Sequence, residues 1–171
     1  MARVLLSVFL SLFLLSACDD GDLEIETISF DNLNVSSCTN DVTAATFLFK
    51  STGKQALILD LPQDVIKNEA GIYTGEIPTN FKLFYRNFNE AVNTAYFCAN
   101  YPPASPWVIS QLSATGGKVK IVTKAIRNES DNQIIRYDHL ITISELVIKN
   151  NDGSKLIDSE FIFGTYQTNP N

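Results

Sequence analysis

Hydrophobic and polar residues alternate with a period of two along most of this chain. In Lys118 to Ile126, Val119, Ile121, Thr123 and Ala125 fall on one side, and Lys118, Lys120 and Lys124 on the other. That is the side-chain period of a strand, so the segment is predicted to be half-buried with a wet, basic face. Leu23 to Phe30, Ala44 to Lys50, Gln55 to Leu61, Asn80 to Arg86, Ile134 to Ile148 and Lys155 to Tyr166 are also predicted strands, rich in β-branched and aromatic residues. Turn residues at Asn128 to Gln133 and Asn150 to Ser154, the latter holding Asp152-Gly153, separate the last three patterns. A C-terminal three-stranded meander follows. Apolar residues occupy both faces of Ile134 to Ile148, with Ile141, Ile143 and Val147 opposite Leu140, Leu146 and Ile148. This strand is expected to be central and covered on both sides for part of its length. Leu61 to Asn68, opened by Pro62, and Asn87 to Asn93 have room for a short helical turn each, too little to carry an architecture. The expected fold is all-β, a single antiparallel β-sandwich of about seven to nine strands.

The N-terminus departs from this pattern. Arg3 precedes an unbroken run of apolar and small residues from Val4 to Ala17, and Leu15-Ser16-Ala17-Cys18 is followed by Asp19-Asp20. A charged start, an apolar stretch and small residues before a cut describe an export signal. The run is shorter than the roughly 20 residues of a membrane-spanning helix. Leu15-Ser16-Ala17-Cys18 resembles the lipobox of bacterial lipoproteins. The resemblance covers residues 1 to 18 and implies that the Cys18 thiol receives a diacylglycerol, that the chain is cut before Cys18, and that the new amino group is acylated. Residues 1–17 are then a cleaved signal peptide, 18–22 a lipidated acidic tether and 23–171 the β-sandwich domain.

Cleavage there leaves 154 residues, enough for one domain with a real core, and removing Arg3 takes the net charge from −6 to −7. An acidic balance with dispersed lysines argues against nucleic acid or an anionic lipid face as partner. The membrane would be held through acyl chains on Cys18, stably with two or three where one is marginal. Asp19, Asp20, Asp22 and Glu24 crowd the start of the mature chain. They look like the acidic tether that some Gram-negative groups use to place lipoproteins on the cell surface, and read equally well as a solvated spacer. In enteric-type bacteria an Asp after the lipid cysteine implies inner-membrane retention; the expectation adopted is an outer-membrane lipoprotein with possible surface exposure.

With Cys18 lipidated, two of the three cysteines remain, Cys38 and Cys98, and exported proteins meet an oxidising environment. A Cys38–Cys98 disulfide is expected, closing a loop worth on the order of 4 kcal/mol in chain entropy; two buried thiols are the alternative. These cysteines and the single His139 do not make a zinc ligand set, and no metal or other cofactor is expected.

Asn93-Thr94-Ala95-Tyr96-Phe97-Cys98 resembles the immunoglobulin strand that carries the second disulfide cysteine, with Tyr96 placed as in a tyrosine corner. Two departures set that family aside. Trp107 is the only tryptophan and follows Cys98, and three long strands come after Cys98 where an immunoglobulin domain has roughly one.

Asn100-Tyr101-Pro102-Pro103-Ala104-Ser105-Pro106-Trp107 combines three prolines, two large aromatics and no charge. Prolines deny ladder donors, so this is a loop or an edge crossing. Two readings stay open. Tyr101 and Trp107 are a stiff binding surface for an envelope protein or a glycan, at low entropy cost; or they fold back to plug one end of the sandwich, as the usual burial of such residues favours.

Catalytic patterns are absent from the sequence. His139 stands alone among strand residues, and neither a nucleophile elbow nor a phosphate-binding fingerprint occurs. Gly116-Gly117 reads as a turn before a strand. Glu76, Asp138, Glu145 and Glu160 read as solvated strand-face charges, although spacing alone leaves open that two of them meet in space. The chain is therefore expected to be a non-enzymatic binding or structural module of the cell envelope. The alternative is an accessory enzyme or ligand carrier with a cavity between its sheets, lined by Phe81, Phe84 or Phe97.

Overall fold

The computed structural model describes residues 30, 32–39, 41–150 and 153–170. The expected signal peptide, Cys18, the expected tether and all of the strand expected at Leu23 to Phe30 except Phe30 lie outside the described residues.

Among the described residues, eight strands form one antiparallel sheet, curled into a half-barrel. They are β1 (Ser36–Ser37), β2 (Phe47–Thr52), β3 (Gln55–Asp60), β4 (Gly71–Ile77), β5 (Lys82–Phe88), β6 (Val108–Arg127), β7 (Ile134–Lys149) and β8 (Lys155–Thr168). The path runs β1-β2-β3-β5-β6-β7-β8, and β4 pairs with β6. The expectation of an all-β, antiparallel fold of about seven to nine strands holds, as does the meander β6-β7-β8. One continuous sheet supplies both walls of this sandwich-like fold.

β6 makes the curl possible. Its first part, Val108 to Ser113, pairs with β5, and its second, Gly117 to Thr123, pairs with β4, while β7 occupies its other edge. Gly116-Gly117, read from the sequence as a turn, lies inside this 20-residue strand. Register shifts fall on either side of Gly116, and Gly117 has φ 149°. The extra residue switches the buried side from Ala114 to Val119, Ile121 and Thr123.

A matching switch corrects the reading of β7. Glu145 has φ 53°, so Ile141 and Ile143 before it and Leu146 and Ile148 after it all reach the same core, while Leu140 is exposed. The apolar residues on both parities of Ile134 to Ile148 thus record a bulge within a strand with one buried face. Lys118 and Glu145 close the bulge with an exposed ion pair of 2.7 Å; this bond raises the Lys118 pKa and lowers that of Glu145. β8 shifts register too, between its pairings with Ile141 and Thr142, where Gly164 has φ 134°.

The strand covered on both faces is β3. Leu57 and Leu59 enter the main core, and Ala56 and Ile58 enter a second cluster on the opposite side. The main core fills the curl with Leu48, Leu83, Val119, Ile121, Ile141, Ile143 and Phe163, and the segments bearing Phe30, Val35, Leu61 and Ile66 close it. Where the two ends of the sheet approach, buried Lys50 of β2 donates from Nζ to the Phe163 carbonyl of β8 at 2.9 Å. A Cβ on Gly164 would stand 2.9 Å from Val35 Cγ2, so only glycine permits this approach.

Leu61 to Asn68 and Asn87 to Asn93 form no helix. The one helical turn among the described residues is α1 (Thr94–Phe97), inside the stretch that resembled an immunoglobulin strand. Asn93 explains it: its side chain accepts from the Tyr96 N–H as an N-cap, and the Cys98 N–H bonds to Thr94 O at 3.1 Å.

Candidate functional site

α1 brings Tyr96 and Phe97 onto the outer side of β2, β3 and β5. Phe97 stacks on Phe49 at 4.4 Å between ring centroids, and Tyr96 meets Phe88 edge-on at 5.1 Å. Phe47, Phe84, Ile58 and Val92 complete this aromatic cap. Cys98 follows directly and is bonded to Cys38, with an S–S distance of 2.04 Å and Cα atoms 5.2 Å apart. The expected disulfide therefore fastens the cap to the segment that carries β1; both cysteines are exposed.

The loop that leaves Cys98 is tied down again at its far end. The Trp107 N–H donates to Asn89 Oδ1 at 2.7 Å, and the Asn89 N–H donates to the Trp107 carbonyl at 3.2 Å. Between these ties, Pro102, Pro103 and Pro106 restrict the backbone. Tyr101 is 85% exposed and Trp107 58%, and Ile109, which continues the same surface into β6, is 65% exposed. The reading in which Tyr101 and Trp107 plug the sandwich is corrected. Both side chains face outward, and neither joins the main core or the outer cluster. Sequence reasoning passed over Val108, Ile109 and Asn89, since the start of β6 has no clean alternation; the signal available was a continuous absence of charge.

A pocket of about 470 Å³ lies at the seam where the sheet ends approach, lined by Leu33, Val35, Lys50, Ile162, Gly164 and Gln167 among others. It is distant in kind from the cavity that would mark a carrier: Phe81 is fully buried in the main core, and Phe84 and Phe97 pack into the outer cap.

His139 is fully buried and has a partner for each ring nitrogen: Thr123 Oγ1 lies 2.8 Å from Nδ1, and Thr168 Oγ1 lies 2.9 Å from Nε2. Thr168 donates its own proton to Asn68 Oδ1, so it accepts from His139 Nε2–H. Burial pushes the ring's pKa down to about 4 against the smaller upward pull of Asp138, which keeps it neutral and leaves Nδ1 to accept from Thr123. Of the four acids considered from sequence, Glu76 and Glu145 both flank Lys118, whereas Glu160 and Asp138 have other neighbours. Glu76 faces Lys118 across β4 and β6, Glu145 pairs with Lys118, Glu160 faces Ser144, and Asp138 accepts from Arg136 at 2.8 Å further along β7. Among the described residues, no three His, Cys, Asp or Glu side chains gather as a metal-ligand group, and no helix is long and apolar enough to cross a membrane.

No family model, curated protein sequence or solved structure matches this chain.

Proposed function

We propose that the chain is a lipid-anchored protein of the bacterial cell envelope, held in the outer membrane by acyl chains on Cys18. Its β domain is a non-enzymatic module that binds an envelope component through the loop from Cys98 to Ile109. The observation that carries the binding role is the exposure of Tyr101 and Trp107 on a loop fixed at both ends. Large aromatics held in place lose little entropy on contact with a partner, so their exposure favours recognition. A Cys38–Cys98 disulfide supports an oxidising, extracytoplasmic location. The position of Phe81 inside the core weighs against a carrier cavity between the walls.

Two measurements test this. Cys18→Ser should move the protein from the membrane pellet to the soluble fraction and abolish incorporation of labelled palmitate; an acylated, pelleted Cys18→Ser protein would refute the anchor. A photo-crosslinking residue at exposed Ser105 of the full-length protein in cells should give adducts of higher mass that disappear with Trp107→Ala and Tyr101→Ala. Their absence, or their persistence in both variants, would refute the loop as the binding surface.

A further inference from the structure

The 27 consecutive residues 91–117 contain no charged side chain, in a chain that is 19% charged. This stretch spans α1, the disulfide cysteine, the whole exposed loop and the start of β6. Surface segments ordinarily owe much of their hydration to ions, and here hydration falls to neutral groups: Asn100, Ser105, Ser110 and Gln111. Charges on the neighbouring strand end include Arg86, whose Nε donates to Gln111 Oε1 at 2.6 Å, and Glu90 beside Asn89. The loop therefore offers two exposed aromatic faces, amides and hydroxyls, with no ion of its own.

We infer that the loop from Cys98 to Ile109 is a platform for a neutral polysaccharide, with Trp107 and Tyr101 each stacking on the C–H face of a sugar ring. This rests on the loop being the binding surface and adds the class of its ligand. Neutral sugars match the chemistry on both counts. Their rings present apolar C–H faces to aromatic π-systems, and their hydroxyls exchange hydrogen bonds with side-chain amides and hydroxyls without desolvating a charge. An anionic polymer calls for Arg or Lys to receive carboxylate or phosphate, and the loop has neither. A lipid surface would suit Tyr and Trp at its interface, but insertion would strip water from Asn100 and Ser105 without replacing their hydrogen bonds.

Trp107 is the only tryptophan, so all indole emission reports from this loop. Full-length protein in a zwitterionic, sugar-free detergent is titrated with dextran, mannan and hydroxyethyl cellulose, and in parallel with polygalacturonate and phosphatidylcholine vesicles. At least one neutral polymer should blue-shift and quench Trp107, and Tyr101→Ala should weaken that titration tenfold or more. In affinity electrophoresis, Trp107→Ala should abolish retardation by the same polymer. Silence with all three neutral polymers, or a Tyr101→Ala protein that binds like the parent, overturns the inference. A response to polygalacturonate or to the vesicles in place of the neutral polymers also overturns it, while leaving the loop as a binding surface. Crosslinking at Ser105 separates the two failures: adducts without a glycan response refute the ligand class alone, and the loss of both refutes the binding surface as well.

Discussion

The same three strands, β2, β3 and β5, carry a hydrophobic cluster on each face, and the two clusters are built by different means. The inner one is aliphatic with Phe81 and Phe163 at full burial, gathers residues from every long strand, and is enclosed by the curl of the sheet. The outer one is an aromatic cap: Phe49, Phe88, Tyr96 and Phe97 lie against each other, and one helical turn covers them. The inner core is enclosed by the curled sheet and the segments bearing Phe30, Val35, Leu61 and Ile66, whereas the cap is closed by a covalent bond at its margin. The loop with Tyr101 and Trp107 grows from the cap. Its placement therefore depends on the weaker of the two clusters and on the disulfide that secures it.

Truncating one phenylalanine on each side tests this ranking most strongly. Phe163→Ala should cost about 3–5 kcal/mol in urea unfolding, because a fully buried ring in a closed core leaves a cavity that cannot collapse. Phe97→Ala, half-buried in the cap, should cost about 2 kcal/mol. Equal costs would mean that the cap and the core are one cooperative structure.

Opening the disulfide acts first on the cap and on the β1 segment it ties. Cys98→Ser, or reduction, should lower stability by about 2–4 kcal/mol through the freed chain entropy of a loop with a sequence separation of 60. Amide exchange locates the effect: protection should fall first around Tyr96 and Phe88, with Ile121 and Ile141 still protected. A uniform loss across the sheet would contradict the division into two clusters.

Acidification acts on the inner side, through His139. The folded protein takes up that proton only near pH 4, whereas the unfolded chain binds it below about 6.5. Stability contributed by the neutral, buried ring is full above about pH 6.5 and is lost as pH falls toward 4, amounting to about 3 kcal/mol. Asp60, whose pKa is raised by burial against the pull of Lys82 and Arg86, contributes a slope of opposite sign. Comparison with His139→Gln isolates the histidine: the variant should lack the extra fall between pH 6.5 and 4, and an unchanged profile would refute the neutral ring.

The inner core was legible in the sequence where the period of two ran unbroken, as in Lys118 to Ile126, and where a short apolar run marked a buried strand, as in Gln55 to Leu61. It became illegible at the bulges. Gly116-Gly117 hid one long strand as a turn and a shorter strand, and Glu145 made a one-faced strand look covered on both sides. β4 escaped notice because two glycines and exposed Ile72, Tyr73 and Thr74 leave it almost no buried residue to mark a face. The disulfide followed from counting cysteines, but the cap did not. Its helical turn is set by the Asn93 cap and by packing against Phe49 and Phe88, contacts far apart in the chain. The exposure of Tyr101 and Trp107 was likewise undecidable from the sequence, because it is set by how the loop is tied at Cys98 and Asn89. Gly117→Ala measures how firmly the bulge is required: with φ 149° and Ile143 Cγ2 2.9 Å from the new Cβ, it should cost about 1–3 kcal/mol. A neutral result would mean that β6 has freedom to shift its register.

The smallest expected effect on stability falls on the residues with the largest proposed role. Tyr101→Ala and Trp107→Ala remove side chains that are mostly in water already, so each should change unfolding free energy by less than about 0.5 kcal/mol. Trp107 holds the end of the loop through its backbone N–H and carbonyl, which alanine retains, so the two bonds to Asn89 survive its truncation. Asn89→Ala removes one of these ties and keeps both aromatic rings. It should therefore weaken ligand binding through loss of loop order, without touching the stacking surface. If Trp107→Ala destabilised the fold by as much as Phe97→Ala, the indole would belong to the cap, and the separation between a structural aromatic cluster and an exposed aromatic loop would fail.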